Sequence, residues 1–219
     1  MSKFDYSDTN WDTIKRLSKW YSGDIHDSLQ QLGGYGYLSS LSLLGHLEPG
    51  QVVCGPAVTV LYAPSKRENQ PQDVYHNAID NAPPGGILVV DASCTPGSCT
   101  GELMSVGAKT KGAAATVVNG TVRDIAQVRA AGYPLFGAGL SPISVSGRKE
   151  PHESQVPLEI DGIKVCPGDV IFADSDGVVV IPKDMVEAVA DEADKLGERE
   201  ASCRDRIVAG ERLQAVWPV

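Results

Sequence analysis

GELMSVGAKTKGAAATVVNGTVRD, residues 101–124, reads as a turn, a short helix, a strand and a second turn. Gly101 precedes a helix over about Glu102 to Lys111, and Gly112 closes it. Ala113 to Val118 is small and apolar, as a buried strand is, and Asn119-Gly120 is expected to turn the chain. In an open α/β fold, the start of such a helix and the loop after such a strand share the sheet edge where ligands bind. Glu102, Arg123 and Asp124 are therefore expected to meet there. The N–H groups of Leu103 and Met104 join them at a helix N-terminus suited to a carboxylate or phosphate.

Outward from this stretch, strand and helix patterns alternate. Towards the N-terminus come a buried strand over Ile87–Asp91 and a short helix over Asp73–Asn81 that carries His76. Before them lie a polar loop over Pro64–Gln72 and a strand over Val52–Tyr62 interrupted at Gly55-Pro56. Trp11, Ile14, Leu17 and Trp20 have helical spacing, which predicts an N-terminal helix over 8–21 capped by Asp8 or Thr9. A second helix is expected over Asp24–Leu32. Its His26 reads as a surface or packing residue.

Towards the C-terminus, a helix over Ile125–Ala131 and a short strand at Leu135-Phe136 lead into a Gly/Ser/Pro-rich loop over Gly137–Ser154. That loop holds Arg148, Lys149 and His152, and His152 is a weak candidate for substrate contact. Pro157–Cys166 reads as a hairpin turning at Asp161-Gly162. Strands at Val170–Phe172 and Val178–Ile181 flank a turn at Asp174-Ser175-Asp176-Gly177, which lacks the further ligands of a calcium loop. Pro182 opens a final helix over Asp184 to about Val208, with a possible break at Gly197. The middle alternates while the last third is mostly antiparallel, so helices pack on one side and β structure on the other.

The 219 residues suit one compact unit, with a core over about 22–182 and terminal helices over 8–21 and 183–210. A net charge of −9 and the lack of a basic stripe argue against nucleic-acid binding. No apolar run approaches a membrane span, and no signal-peptide core opens the chain. Five cysteines without a CxxC pair read as reduced thiols in a cytoplasmic protein rather than a zinc site. The sequon at Asn119-Gly120-Thr121 is discounted for the same reason.

GPAVTV (55–60), HNAIDNAPPGGILVVD (76–91), the 101–124 stretch, GYPLF (132–136) and PGDVIFADSDGVVVIP (167–182) occur in order, followed by a C-terminal helix with Arg199-Glu200. Over about residues 22–212 the chain resembles the RraA-like family. That family includes class II pyruvate aldolases acting on 4-hydroxy-4-methyl-2-oxoglutarate and 4-carboxy-4-hydroxy-2-oxoadipate, and also non-catalytic ribonuclease regulators. The resemblance implies an α/β/β sandwich of the swivelling-domain type, assembled as a homotrimer or homohexamer with sites between subunits.

The aldolase signature is an Asp followed, after twenty residues, by Arg-Asp. Here twenty residues separate Glu102 from Arg123, and Asp124 follows. Glu in place of Asp keeps the charge on a longer arm. Gln127 stands where the regulators often carry an acid. The resemblance then implies Mg²⁺ or Mn²⁺, a 2-oxo acid substrate, and the following roles. Asp124 is the direct metal ligand, and Glu102 holds metal-bound water. Arg123, with Gly101, Leu103 and Met104, binds the pyruvyl end. Glu200, or less well Glu198, reaches in from a neighbouring copy. On residue types alone, Arg123-Asp124 also reads as a helix cap with a surface ion pair.

Overall fold

The structure is a computed structural model that describes residues 4–69 and 71–217. After a 3₁₀ turn at Tyr6–Asp8, the elements are α1 (Trp11–Leu17), α2 (Ser22–Gln31), β1 (Ser42–Leu43), β2 (Val53–Pro64), α3 (Asp73–Asp80) and β3 (Ile87–Asp91). Then come α4 (Glu102–Thr110), β4 (Ala115–Val122), α5 (Ile125–Ala130), β5 (Leu135–Leu140), β6 (Lys149–Ser154), β7 (Leu158–Ile160) and β8 (Ile163–Val165). β9 (Val170–Ala173), β10 (Val178–Ile181), α6 (Val186–Val208) and α7 (Leu213–Val216) complete the chain.

β2 is shared by two halves of one sheet. On one side it runs parallel to β3, and β4 and β5 continue in the same sense; on the other, β9 and β10 follow antiparallel. Successive residues of these strands enter different cores. Val58, Val60, Leu88, Val90 and Val118 pack under α3, α4 and α5 through Tyr75, Ile79, Ala108 and Val128. Ala57, Ile87, Val89 and Val117 turn inward instead, against Ile171, Ala173, Val178 and Val180. The alternate residues Val170, Phe172, Val179 and Ile181 face α1, α2 and α6. The result is the expected α/β/β sandwich, with the N- and C-terminal helices on its outer β face.

The chain at residues 36–43 nearly closes the sheet. Leu38 N–H donates to the Val178 carbonyl at 3.0 Å, and Val180 N–H to that of Gly36 at 2.8 Å. A few residues on, Ser42 and Leu43 pair with Gly137 and Phe136 of β5. One short segment thus satisfies both outer edges, which would otherwise present unpaired backbone groups.

Several local expectations need correction. Asp8 and Thr9 do not cap the first helix; Asp8 ends the 3₁₀ turn, and the Asn10 side chain accepts from Thr13 N–H. The helix expected over 8–21 stops at Leu17, where Ser18 Oγ bonds back to the Ile14 carbonyl, and α2 starts at Ser22. Asn119-Gly120 is no turn. β4 runs on to Val122 with a register shift after Val118, because the Asn119 amide donates to Asp91 Oδ1 at 3.0 Å and Gly120 takes φ +149° against Ala92. The expected loop 137–154 contains two strand segments: β5 reaches Leu140, and Lys149–Ser154 pairs antiparallel with β2. α6 does not break at Gly197; the Trp20 ring occupies the place of a side chain there. Gln70, in the expected loop 64–72, lies outside the described residues.

A methyl group at Gly36 would overlap the Val180 carbonyl and the Leu29 side chain, whereas Gly139 has open space. Gly36→Ala is expected to destabilise the fold by about 1–3 kcal/mol, lowering Tm by several degrees. Gly139→Ala is expected to leave Tm nearly unchanged. Thermal denaturation of the two variants checks this, and equal melting would refute the closure argument.

Candidate active site

β3 ends at Asp91, and residues 92–100 lead back to Gly101, where α4 begins. β4 ends at Val122 beside this return: Thr100 bridges Val122, and Arg123 N–H donates to the Thr100 carbonyl at 3.0 Å. Asp124 then turns the chain with φ +56°, a left-handed conformation that Asp tolerates better than most residues. It stands at the N-cap of α5, yet its side chain makes no capping bond. Oδ2 instead accepts the Glu102 N–H across the gap at 3.3 Å and lies 3.6 Å from Arg123 Nε. The simple cap reading of the Arg-Asp pair therefore does not describe this carboxylate.

Gly101 permits this approach. A Cβ there would fall onto Asp124 Oδ2 and crowd Arg123 Cγ. The α4 ladder begins with Ser105 N–H on the Gly101 carbonyl, at 3.1 Å. The Leu103 and Met104 N–H groups thus have no helical acceptor. Gly101, Glu102, Leu103, Met104, Arg123 and Asp124 all line one open cleft of about 370 Å³. The Arg123 and Asp124 side chains are each 44% exposed, so both can meet a ligand.

Glu200 is placed elsewhere. It sits on α6, beside Asp24 of α2, and does not line the cleft of its own chain. Burial and then the Asp24 carboxylate hold its pKa above the usual range. His152 is exposed on β6, 3.4 Å from Glu153, and also stands outside the cleft. Conversely, Gln72, His76, Ser144 and Val145 line it and were not picked out by sequence reasoning. The available signal was the four-residue spacing of Gln72 and His76 at a helix start.

Behind the cleft the Tyr75 phenol meets Thr100 Oγ1 at 3.0 Å, and burial pushes its pKa well up. Burial likewise raises the Cys99 thiol to about 11. Lys149 is buried on β6, donates to the Ala92 and Thr95 carbonyls, and has its pKa lowered by burial. This lysine anchors the 92–100 return.

Among the described residues no group of three or more His, Cys, Asp or Glu side chains is arranged to hold a metal ion. A metal at this cleft would be held by Asp124 and Glu102, with water completing its shell. That oxygen-only donor set fits Mg²⁺ or Mn²⁺ and does not fit zinc or a calcium cage.

The RraA-like family model (Aldolase/RraA) matches residues 22–180. The chain belongs to the RraA-like family. Among RraA-like relatives, the "Putative 4-hydroxy-4-methyl-2-oxoglutarate aldolase" of Halalkalibacterium halodurans is 33% identical over 178 residues, covering 80% of each chain. Protein DlpA of Legionella pneumophila is 33% identical over 213 residues, 95% of this chain, but this chain spans only 34% of DlpA. Among solved structures, an uncharacterized protein from Pseudomonas syringae pv. tomato superposes with a TM-score of 0.86 at 29% identity, covering 96% of this chain and 99% of that one. RraAS2 of Streptomyces coelicolor, described as an unusual member of the RNase ES inhibitor RraA family, gives 0.78 at 28%, covering 93% and 98%. No helix among the described residues is long and apolar enough to cross a membrane.

The contact between Gly101 and Asp124 yields a test. Gly101→Ala is expected to push the carboxylate off the α4 N-terminus and weaken Mn²⁺ binding about ten- to a hundredfold, as loss of a supporting contact does. Circular dichroism should stay unchanged. Water-proton relaxation titrations measure the affinity, and an unaltered Kd refutes the assignment of Asp124.

Proposed function

We propose that this chain is a metal-dependent lyase that cleaves or forms the C–C bond of 4-hydroxy-2-oxo acids through a pyruvate enolate. Oxaloacetate decarboxylation at the same site is proposed as a side activity. The observation that carries the reading is the meeting of Arg123, Asp124 and the α4 N-terminus, with its free Leu103 and Met104 N–H groups, on one cleft. The aldolase-named relatives support the reaction class.

Asp124, with Glu102, would hold Mg²⁺ or Mn²⁺, which when bound supplies a Lewis acid for the 2-keto oxygen. Arg123 binds the pyruvyl carboxylate or keto oxygen through charge-assisted hydrogen bonds, helped by the Leu103 and Met104 N–H groups. Such donors favour the charge that develops on the pyruvyl fragment. A water held by Glu102 takes the proton of the 4-hydroxyl. The C3–C4 bond then breaks, C4 leaves as a carbonyl product, and the electron pair passes to the enolate. C3 takes up a proton and pyruvate departs. Decarboxylation of oxaloacetate reaches the same enolate with CO₂ as the leaving fragment, and needs no hydroxyl deprotonation.

Leu103 is 83% exposed at the cleft rim, and Val106, Leu140 and Ile143 are exposed apolar residues. Covering such surface suits a homotrimer or homohexamer, in which Glu200 of a neighbouring copy would complete the water network. The competing reading is a non-catalytic regulator that binds a protein partner; RraAS2 is described as a member of an RNase ES inhibitor family.

Pyruvate release from a 4-hydroxy-2-oxo acid is expected to stop with EDTA and return with Mg²⁺ or Mn²⁺. A charged hydrogen bond contributes about 1.5–3 kcal/mol, equivalent to about ten- to a hundredfold in rate. Arg123→Lys is expected to lower kcat/KM by such a factor for both reactions, and Arg123→Ala by more. Glu102→Gln is expected to slow aldol cleavage more than decarboxylation. Steady-state kinetics of both substrates checks this; unchanged rates in Arg123→Ala would falsify the catalytic reading and favour the regulator.

A further inference from the structure

Tyr75 of α3 and Thr100, on the return into α4, are both buried. A position that needed only volume inside the core under the helices would be served by phenylalanine. The Tyr75 phenol instead meets Thr100 Oγ1 at 3.0 Å, and burial keeps that phenol protonated. Hydroxyls this deep have no water to bond, so the contact fixes where the Thr100 side chain points. Thr100 Oγ1 also meets the Cys99 sulfur at 3.6 Å, a much weaker partner.

Thr100 is gripped from a second side. Its carbonyl accepts the Arg123 N–H at 3.0 Å, and its backbone bridges Val122 at the end of β4. The carbonyl of the next residue, Gly101, accepts both the N–H and the Oγ of Ser105, at 3.1 and 2.9 Å, which starts the α4 ladder. Thr100 thus stands between Tyr75, Arg123 and the first turn of α4. Releasing its hydroxyl loosens the residue from which both Arg123 and the α4 start are hung.

We propose that Tyr75 and Thr100 are positioning residues for the lyase reaction, whose hydroxyl pair holds Arg123 and the α4 start in place against the pyruvyl fragment. This rests on the reading of the Arg123 site given above. Neither hydroxyl is assigned a part in bond cleavage. Charge grows on the pyruvyl fragment only as the bond breaks, so a misplaced Arg123 is felt mainly in kcat. Tyr133 supplies a matched control. It is equally buried, and its phenol meets Thr116 Oγ1 at the same 3.0 Å. Thr116, however, lies near the start of β4, at the opposite end of the strand from Arg123.

Tyr75→Phe and Thr100→Val are each expected to lower kcat by about ten- to a hundredfold, the range for a slightly misplaced group. The loss is expected both in pyruvate release from a 4-hydroxy-2-oxo acid and in oxaloacetate decarboxylation, with KM changed by about twofold or less. The double variant is expected to lose no more than either single one, since both remove the same contact. Thr100→Ser keeps the hydroxyl and is expected to recover most of the loss seen in Thr100→Val. Tyr133→Phe is expected to lower Tm as Tyr75→Phe does and yet keep its kcat. Steady-state kinetics of the full chain with Mg²⁺, well below Tm, together with thermal denaturation, reads these outcomes. Wild-type kcat in Tyr75→Phe, an equal fall in Tyr133→Phe, or Thr100→Ser as slow as Thr100→Val overturns this inference alone. If Tyr75→Phe does not fold, the Val and Ser variants of Thr100 decide in the same way. A wild type inactive towards both substrates overturns the lyase reading and this inference with it.

Discussion

The contact between the Arg123 N–H and the Thr100 carbonyl joins two pieces of chain that topology alone would leave merely adjacent. One is the end of β4; the other is the return from β3 into α4. Pinned together, they bring Asp124 within reach of the Glu102 N–H, and only a glycine at 101 leaves room for that carboxylate. The αL turn at Asp124, the starts of α4 and α5 and the open cleft are gathered around this junction. It is a backbone interaction, so side-chain changes can modify the site without moving its frame.

That frame also addresses an electrostatic problem. The protein is strongly acidic, yet the proposed ligand is an anion. Helices α3, α4 and α5 all begin at the cleft, through Gln72, Gly101 and Asp124, and none of these residues caps its helix with a side-chain bond. Oriented peptide dipoles concentrate positive potential within about one turn of a helix start. With Arg123 they supply donors to an anion without a basic surface patch, while Asp124 and Glu102 keep the cleft's carboxylates beside them.

Much of this was legible in the residues. Gly101, Gly112 and the apolar run after Ala113 marked a helix followed by a strand, and the resemblance to the RraA-like family directed attention to Glu102, Arg123 and Asp124. What escaped was long-range. Asn119-Gly120 has the composition of a turn, and only the partner Asp91 shows why it stays in a strand. Lys149–Ser154, KEPHES, has no apolar alternation; it becomes a strand because β2 offers it an edge and buries Lys149 against backbone carbonyls. His76 looked unremarkable because no nearby residue in sequence indicates a cleft; α3 is carried there by Tyr75 and Thr100. Glu200 is the opposite case, since its expected role belongs to a neighbouring copy and its place within one chain is beside Asp24.

Burial on both faces has a cost for strand alignment. In a sheet with one wet face, sliding a strand by one residue exposes its apolar side chains, so the pattern itself guards the register. β2, β3 and β4 have apolar residues towards both cores, and a slip would exchange one hydrophobic surface for another. Alignment must then come from the few polar atoms inside. Thr59 Oγ1 donates to the Val156 carbonyl at 2.6 Å, and Thr116 Oγ1 meets the Tyr133 hydroxyl at 3.0 Å. Both threonines are almost fully buried. Misalignment would strand these hydroxyls in hydrocarbon at about 1–3 kcal/mol each. Two buried threonines thus act as graduations on a scale, locating strands whose oily faces would otherwise fit in more than one position.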